Sequence, residues 1–421
     1  MIAIRNGRVL TPDGIAETDI GIEGEIVVGV GGRIDAGADL DAAGAWVGPG
    51  LVDLHVHFRD PGQEWKEDIP SGSAAAAAGG FTAVLAMPNT TPPVDSGHNA
   101  RYVVEAGRRA GLCEVLPAGC LTMARAGEVL SQLDELWAAG VRVFSDDGSS
   151  VADAGLLRLA MEYVCELGGV VAQHAEDLGL SRGGHMNEGA LSSRLGVPGL
   201  PAAAEETVLA RDLTLAGLTG VRYHAQHLSL ARSAELVNEA KSRGLPVTAE
   251  VTPHHLVLDQ SYVESLDPVF KMYPPLRTRS DVAALTAALA AGTIDAVATD
   301  HAPHAAFETE VPFAEAPRGI IGLETAAAIV NMVLGPDPGT FFQRMSIAPA
   351  TIGGFARHGH RVEDGAPANL VIFDPDAVWT PTSFQSRSAN SPFLGRPLRG
   401  KVLATIYNGS ISYQTPAPVS A

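Results

Sequence analysis

Gly50-Leu-Val-Asp53-Leu-His55-Val-His57-Phe-Arg59 is the stretch on which the reading of this chain turns. It is a short apolar run, so residues 50–57 read as a buried β-strand. Side chains alternate faces along a strand, which points His55 and His57 the same way and Val56 the other. Two neutral imidazoles placed like this can chelate one divalent ion. Taken alone, the pair fits a packed core as readily as a metal site.

Similar runs recur at 81–88, 114–121, 141–147, 170–174, 221–228, 247–253 and 295–300. Between them lie Ala- and Leu-rich stretches with helical periodicity, including 71–79, 156–167, 203–216, 231–243 and 281–291. Strand and helix in alternation predict βα units on a parallel sheet, and eight such units predict a (β/α)8 TIM barrel over residues 50–354. The flanks differ. Residues 1–49 carry strand-like runs at 2–10 and 19–30 without a long helix, and 355–421 carry others at 369–373, 403–407 and 410–413. Both chain ends are expected to pair into one small β-sandwich domain beside the barrel.

Catalytic groups of such barrels gather where the strands end. Here the ends are polar: Asp146-Asp147 after the fourth run, His174 after the fifth, His224 and His227 in the sixth, Asp300-His301 and His304 after the eighth. Each has a plain alternative, since an acidic strand end often caps a helix and a lone His often sits satisfied in a core. Four strands ending this way on one face are harder to assign to packing. Four His and two Asp suit two Zn2+ or similar ions, which together activate water and polarise a carbonyl.

Bulk properties narrow the class. A formal charge of −19 over 421 residues excludes a broad nucleic-acid surface, and an anionic substrate would need a local cationic clamp. No run of 18 apolar residues is present, so no membrane span is expected. Cys113, Cys120 and Cys165 are sparse and unpaired in spacing, and the N-terminus lacks a signal-peptide pattern; both fit a cytoplasmic protein.

With these residues in view, the chain resembles the cyclic amidohydrolases, and within them the dihydroorotases that lack a carboxylated lysine. The resemblance runs along almost the whole chain. It rests on the segment 48–64, Ala86-Met-Pro-Asn89-Thr, Phe144-Ser-Asp-Asp-Gly148, Ala249-Glu-Val-Thr-Pro-His-His255, Ala298-Thr-Asp-His-Ala-Pro-His304 and Ala389-Asn-Ser-Pro-Phe393. It implies that His55, His57 and Asp300 hold a first metal and that Asp147 bridges to a second held by His174 and His227. Asp300 would also be the catalytic base and acid. Arg59, Asn89 and His304, with His57, would hold the substrate, and Arg318-Gly319 would cap its ring; position 273 is a further substrate-contact position, where Tyr273 stands in place of the expected residue and can shift substrate preference. The four lysines (Lys66, Lys241, Lys271, Lys401) fall outside the interior strand ends, which leaves the bridge to a carboxylate.

Tyr273 departs from the resemblance, which expects Asn before Pro-Pro-Leu-Arg. His254 and His255 are expected to be structural, His224 and His301 to pack or support ligands, and His98, His185, His358 and His360 to lie solvated in loops. Residues 305–317, rich in Glu, Phe and Pro, read as a mobile loop over the site, either a lid that excludes water or a plain surface loop. The implied activity is reversible opening of dihydroorotate to N-carbamoyl-aspartate in pyrimidine synthesis, by a homo-oligomer that can associate with aspartate carbamoyltransferase. The rivals are an allantoinase- or hydantoinase-like ring opener and a non-catalytic scaffold.

Overall fold

The first 49 residues form strands β1 (Ile2–Thr11), β2 (Gly14–Glu23), β3 (Ile26–Val30), β4 (Ala38–Asp41) and β5 (Trp46–Pro49) in the computed structural model, which describes residues 1–32 and 34–415. The run expected at 19–30 is two strands, because Gly24 takes a left-handed φ of 58° and turns the chain back. One residue after β5 the chain enters β6 (Leu51–Val56), every residue of which is buried. Then follow β7 (Phe81–Ala86), β8 (Glu114–Pro117), β9 (Val143–Phe144), β10 (Val170–Gln173), a two-strand pair β11 (Met186–Asn187) and β12 (Gly199–Leu200), β13 (Arg222–Ala225), β14 (Val247–Val251) and β15 (Ala296–Val297). The chain closes with β16 (Leu370–Trp379), β17 (Leu398–Tyr407) and β18 (Ser410–Gln414).

All eight sequence-derived central runs contain a strand, but the ladders stop short of the polar ends. Parallel pairing runs β6-β7-β8 in one sheet and β9-β10-β13-β14-β15 in another. Parallel bridges Gly119–Phe144 and Val56–His301 link these two sheets at both sides, so the pairing returns to β6. Asp53, a carboxylate inside the first run, joins the last strand to the first by accepting from the backbone N–H of His55 and of Thr299, each at 3.0 Å. Burial pushes its pKa up to about 7.

Helices fill the connections for local reasons. Asp68 caps Ile69–Ala78 by accepting from Ser71 N, in a reciprocal capping box. Asp153 starts Ala154–Leu167, and Gly168, at φ 76°, ends it in the left-handed conformation that glycine adopts without a Cβ clash. Ala203–Thr219, Ala231–Ser242 and Arg279–Ala291 follow the expected positions, and Gly97–Ala110 and Leu323–Leu334 add two more. No helix among the described residues is long and apolar enough to cross a membrane.

The two chain ends meet in one hydrogen-bonded sheet, ordered β18-β17-β16-β5-β1-β2-β3 with β4 on β1. Ile4, Ile20, Val47, Ile372 and Ile406 belong to its own buried cluster. All eight of these strands belong to one hydrogen-bonded sheet, drawn from both chain ends. The last six residues of the expected 355–421 segment lie outside the described residues.

The segment 305–317 is tied down. It holds a short helix, Ala306–Thr309, and buries Phe313 and Ala316. Lys271, 2% exposed, donates from Nζ to the carbonyls of Phe313 (2.6 Å), Ala314 (3.1 Å) and Ala316 (2.6 Å), and Lys66 pairs with Glu308 at 3.0 Å. Burial and the nearby Arg318 hold the Lys271 pKa down to about 8. Replacing Lys271 with Met should leave buried carbonyls unpaired, a loss of roughly 1–3 kcal/mol for such a group. The expected result is limited proteolysis within 305–317 faster by about tenfold or more at that loss; an unchanged cleavage rate would show the segment held by other contacts.

Candidate metal and substrate site

The polar strand ends leave their ladders and turn into one cavity lined by His57, Arg59, Asn89, Asp147, His174, His227, Tyr273, Asp300, Arg318 and Gly319. Of the nine non-glycine residues with positive φ among those described, three belong to this set: Arg59 (61°), His227 (29°) and Asp300 (47°). Such backbone is costly and persists where the surroundings impose it, which is common at functional sites.

Within this group the expected ligands converge. His55, His57 and Asp147 present donor atoms within 4.8 Å of one another, as do Asp147, His174 and His227. Asp147 is common to both triads. His55 Nε2 lies 3.3 Å from Asp147 Oδ1, His57 Nε2 3.6 Å from Asp147 Oδ2, His227 Nε2 3.7 Å and His174 Nδ1 3.9 Å from Asp147 Oδ1. Asp300 Oδ1 sits 3.0 Å from His57 Nε2 and 3.7 Å from His55 Nε2.

The donor set fits divalent cations. His55 Nε2 and Asp147 Oδ1 are buried and lack any hydrogen-bond partner, although they face each other. No Lys or Arg among the described residues forms an ion pair with Asp147 or Asp300, and both carboxylates are nearly inaccessible. Buried, unneutralised carboxylates ringed by imidazoles demand positive charge. Burial opposes the charged form of each, yet the His55, His57 and His227 contacts hold the pKa values of Asp147 and Asp300 below the usual carboxylate range. An ion shared through Asp147 would satisfy the orphaned atoms and the electrostatics together.

Behind the ligands stand partners that the sequence did not reveal. His55 Nδ1 lies 3.0 Å from Glu250 Oε1, His57 Nδ1 2.9 Å from Asn89 Oδ1 and His174 Nε2 2.9 Å from Glu176 Oε2. A carboxylate or carbonyl accepting the outer N–H fixes the tautomer and the ring orientation of a ligand. Glu250 also faces His224 Nε2 at 3.0 Å, which gives His224 its expected supporting place. Burial disfavours the Glu250 charge, and the bonds from His224 and His55 overcome it, bringing the pKa down to about 2. The legible signal was a lone carboxylate within the apolar run 247–253.

The expected substrate contacts also line the cavity. Among the described residues Arg59 forms no ion pair, its Nε reaching only the Pro303 carbonyl at 3.4 Å, and burial lowers its pKa to about 10 against the pull of Asp300, Asp147 and Glu308. Its guanidinium is therefore available to an anion. His304 donates from Nε2 to the Arg318 carbonyl at 2.9 Å, leaving Nδ1 without a hydrogen bond among the described residues and 4.0 Å from Glu308 Oε2. At Gly319 a Cβ would come within 2.7 Å of the Ala302 carbonyl and 3.0 Å of His304 Nε2, so only glycine lets this strip of backbone approach. Tyr273 reaches the cavity, but its hydroxyl is bonded to Glu176.

The remaining histidines divide as follows. His255 is fixed between Thr252 and the Pro274 carbonyl, and His301 between Glu67 and the Gly322 N–H. His358, expected to be solvated, is 5% exposed, bonded to Thr82 at 2.9 Å and Glu114 at 3.0 Å.

Comparison with known proteins supplies the family. A family model described as dihydro-orotase-like matches residues 44–233. The chain is 47% identical to a dihydroorotase from Streptomyces coelicolor over 96% of both chains. It is 46% identical to one from Mycobacterium leprae, covering 94% of this chain and 95% of that one. The chain belongs to the dihydroorotase family. It is a hydrolase carrying candidate metal-binding His and Asp groups. Among solved structures, a D-hydantoinase from Thermus sp. superposes with a TM-score of 0.84 at 26% identity, over 99% of this chain and 97% of that chain. An L-hydantoinase from Arthrobacter aurescens gives 0.84 at 24% identity over 97% and 95%, a likeness of fold. The dihydroorotase family member described here therefore shares its mixed α/β fold with the hydantoinases.

Proposed function

We propose that this family member is a zinc-dependent dihydroorotase of the type without a carboxylated lysine, opening (S)-dihydroorotate reversibly to N-carbamoyl-L-aspartate in de novo pyrimidine synthesis. The observation that carries the reading is Asp147 shared by two buried His-containing triads, with an unpaired Arg59 on the same cavity. The β-strands 6–10 and 13–15 are read as a closed (β/α)8 barrel over 50–354, and the two chain ends (1–49 and 355–421) as the accessory β-domain.

His55, His57 and Asp300 would hold one Zn2+ and His174 and His227 a second, with Asp147 common to both groups; when bound, the metal would supply a lowered water pKa and polarisation of the amide carbonyl. The chain's own residues do the rest. Asp300, held ionised, accepts the proton of the attacking water and returns it to the departing ring nitrogen. Arg59 pairs with the substrate carboxylate, a fork geometry that a lysine cannot reproduce. Asn89, with Oδ1 turned to His57, keeps its Nδ2 donors for substrate. His304, the edge of His57 and the Arg318-Gly319 backbone close on the ring. Placement in the cytoplasm, a homo-oligomeric state and association with aspartate carbamoyltransferase belong to the same proposal.

Replacing Arg59 with Met should raise KM for dihydroorotate by ~10²-fold, since removing one partner of a desolvated ion pair costs about 2–5 kcal/mol. An unchanged KM would move the carboxylate elsewhere. The reading as a whole is tested by turnover of dihydroorotate, a hydantoin and allantoin, with and without added zinc. The hydantoinase-like fold makes the second substrate the competing possibility, and preference for it would overturn the assignment. A purified chain that binds almost no zinc would instead point to the non-catalytic scaffold.

A further inference from the structure

Tyr273 stands where the sequence resemblance expects Asn, and its surroundings give it a different task. Its hydroxyl donates to Glu176, a residue 5% exposed. The other oxygen of that carboxylate, Oε2, lies 2.9 Å from His174 Nε2, and the Ser181 hydroxyl completes its partners. The Tyr273 ring lies against the imidazole of His174, with centroids 5.0 Å apart and planes at 34°. The Arg318 guanidinium sits 4.1 Å from the tyrosine ring centroid, and Arg318 Nη2 is anchored on the Gly184 carbonyl at 2.6 Å.

We propose that Tyr273 and Glu176 are positioning residues for the second metal. Glu176 accepts the His174 Nε2–H and so commits Nδ1 to the ion, while Tyr273 fixes the carboxylate and covers the imidazole. A phenol has one O–H to give. Spent on Glu176, it is not available to a substrate at the same time. An Asn at 273 would supply neither the ring over His174 nor the surface on which Arg318 rests. Arg318 also lines the cavity, so the stack joins the second-metal side of the site to its substrate rim. The proposal rests on the two-metal reading above.

The test is stepwise Co2+ loading of the full chain, wild type against Glu176→Gln and Tyr273→Phe, followed by the visible spectrum and by chelator competition. Glu176→Gln should weaken the second Co2+ by ~10–100-fold, the usual cost of losing an outer partner of a ligand. The first Co2+ should bind as in wild type, which also reports that the variant is folded. Tyr273→Phe should weaken the second ion in the same direction by a few-fold and alter its absorption bands. Its kcat should recover at saturating metal while KM stays within about twofold. Unchanged second-site affinity and spectrum in both variants would overturn the proposal. So would a Tyr273→Phe enzyme with wild-type metal binding and a raised KM, the mark of a substrate contact. A wild type that takes up only one Co2+ would sink the two-metal reading itself, and this inference with it.

Discussion

Asp300→Asn should lower kcat by ~10³–10⁴-fold, the upper range for loss of a positioned general acid and base. The substitution keeps the volume, and an amide oxygen can still face His57, so the zinc content and thermal midpoint should remain near wild type. What disappears is basicity. Asp300 is buried and held ionised by its bond to His57 at 3.0 Å, whereas Asn cannot take up a proton. The backbone at φ 47° tolerates Asn better than most residues, which further separates chemistry from folding. Single-turnover kinetics beside metal analysis make the measurement. Near-normal turnover with full zinc would remove Asp300 from the proton path and leave only its role as a ligand.

Asp147→Ala should have an effect of similar size by a different route. This carboxylate is the one residue shared by the two triads, so its loss opens both sites at once. On the proposed two-zinc reading, bound zinc should fall from two per chain toward none after dialysis, and activity by more than about 10³-fold, because the water and carbonyl activation supplied by metal would go with it. Chelator-treated wild type should lose activity equally but regain it on adding zinc; the variant should not. Retention of two ions by Asp147→Ala would show that another group bridges them.

Local sequence carried much of this site. Period-two alternation placed His55 and His57 on one face, and the structure brings their Nε2 atoms to within 3.6 Å of Asp147. Polar residues at the ends of the runs 141–147, 170–174, 221–228 and 295–300 pointed to the other candidate ligands, because parallel strands in one pairing order bring their C-terminal ends to one side, wherever they lie in the chain. The lysine inventory was legible too, since the described contacts place Lys66 on Glu308, Lys241 on Asp295 and Lys271 on loop carbonyls.

Contacts between distant segments were not legible. Glu250 meets His55 across 195 positions and Asn89 meets His57 across 32, pairings set by strand register that no local pattern encodes. The same holds for His358, drawn into the core by Thr82 and Glu114, and for the segment 305–317, whose run of Glu, Phe and Pro gave no sign that Lys271 would close on its carbonyls. The sequence by itself determined which side chains could serve as ligands and that His55 and His57 share a face, because these follow from residue chemistry and a repeat of two. Only the tertiary structure decided which imidazole nitrogen each partner occupies, where the Tyr273 hydroxyl points and what holds the loop, because those depend on packing among segments far apart in the chain.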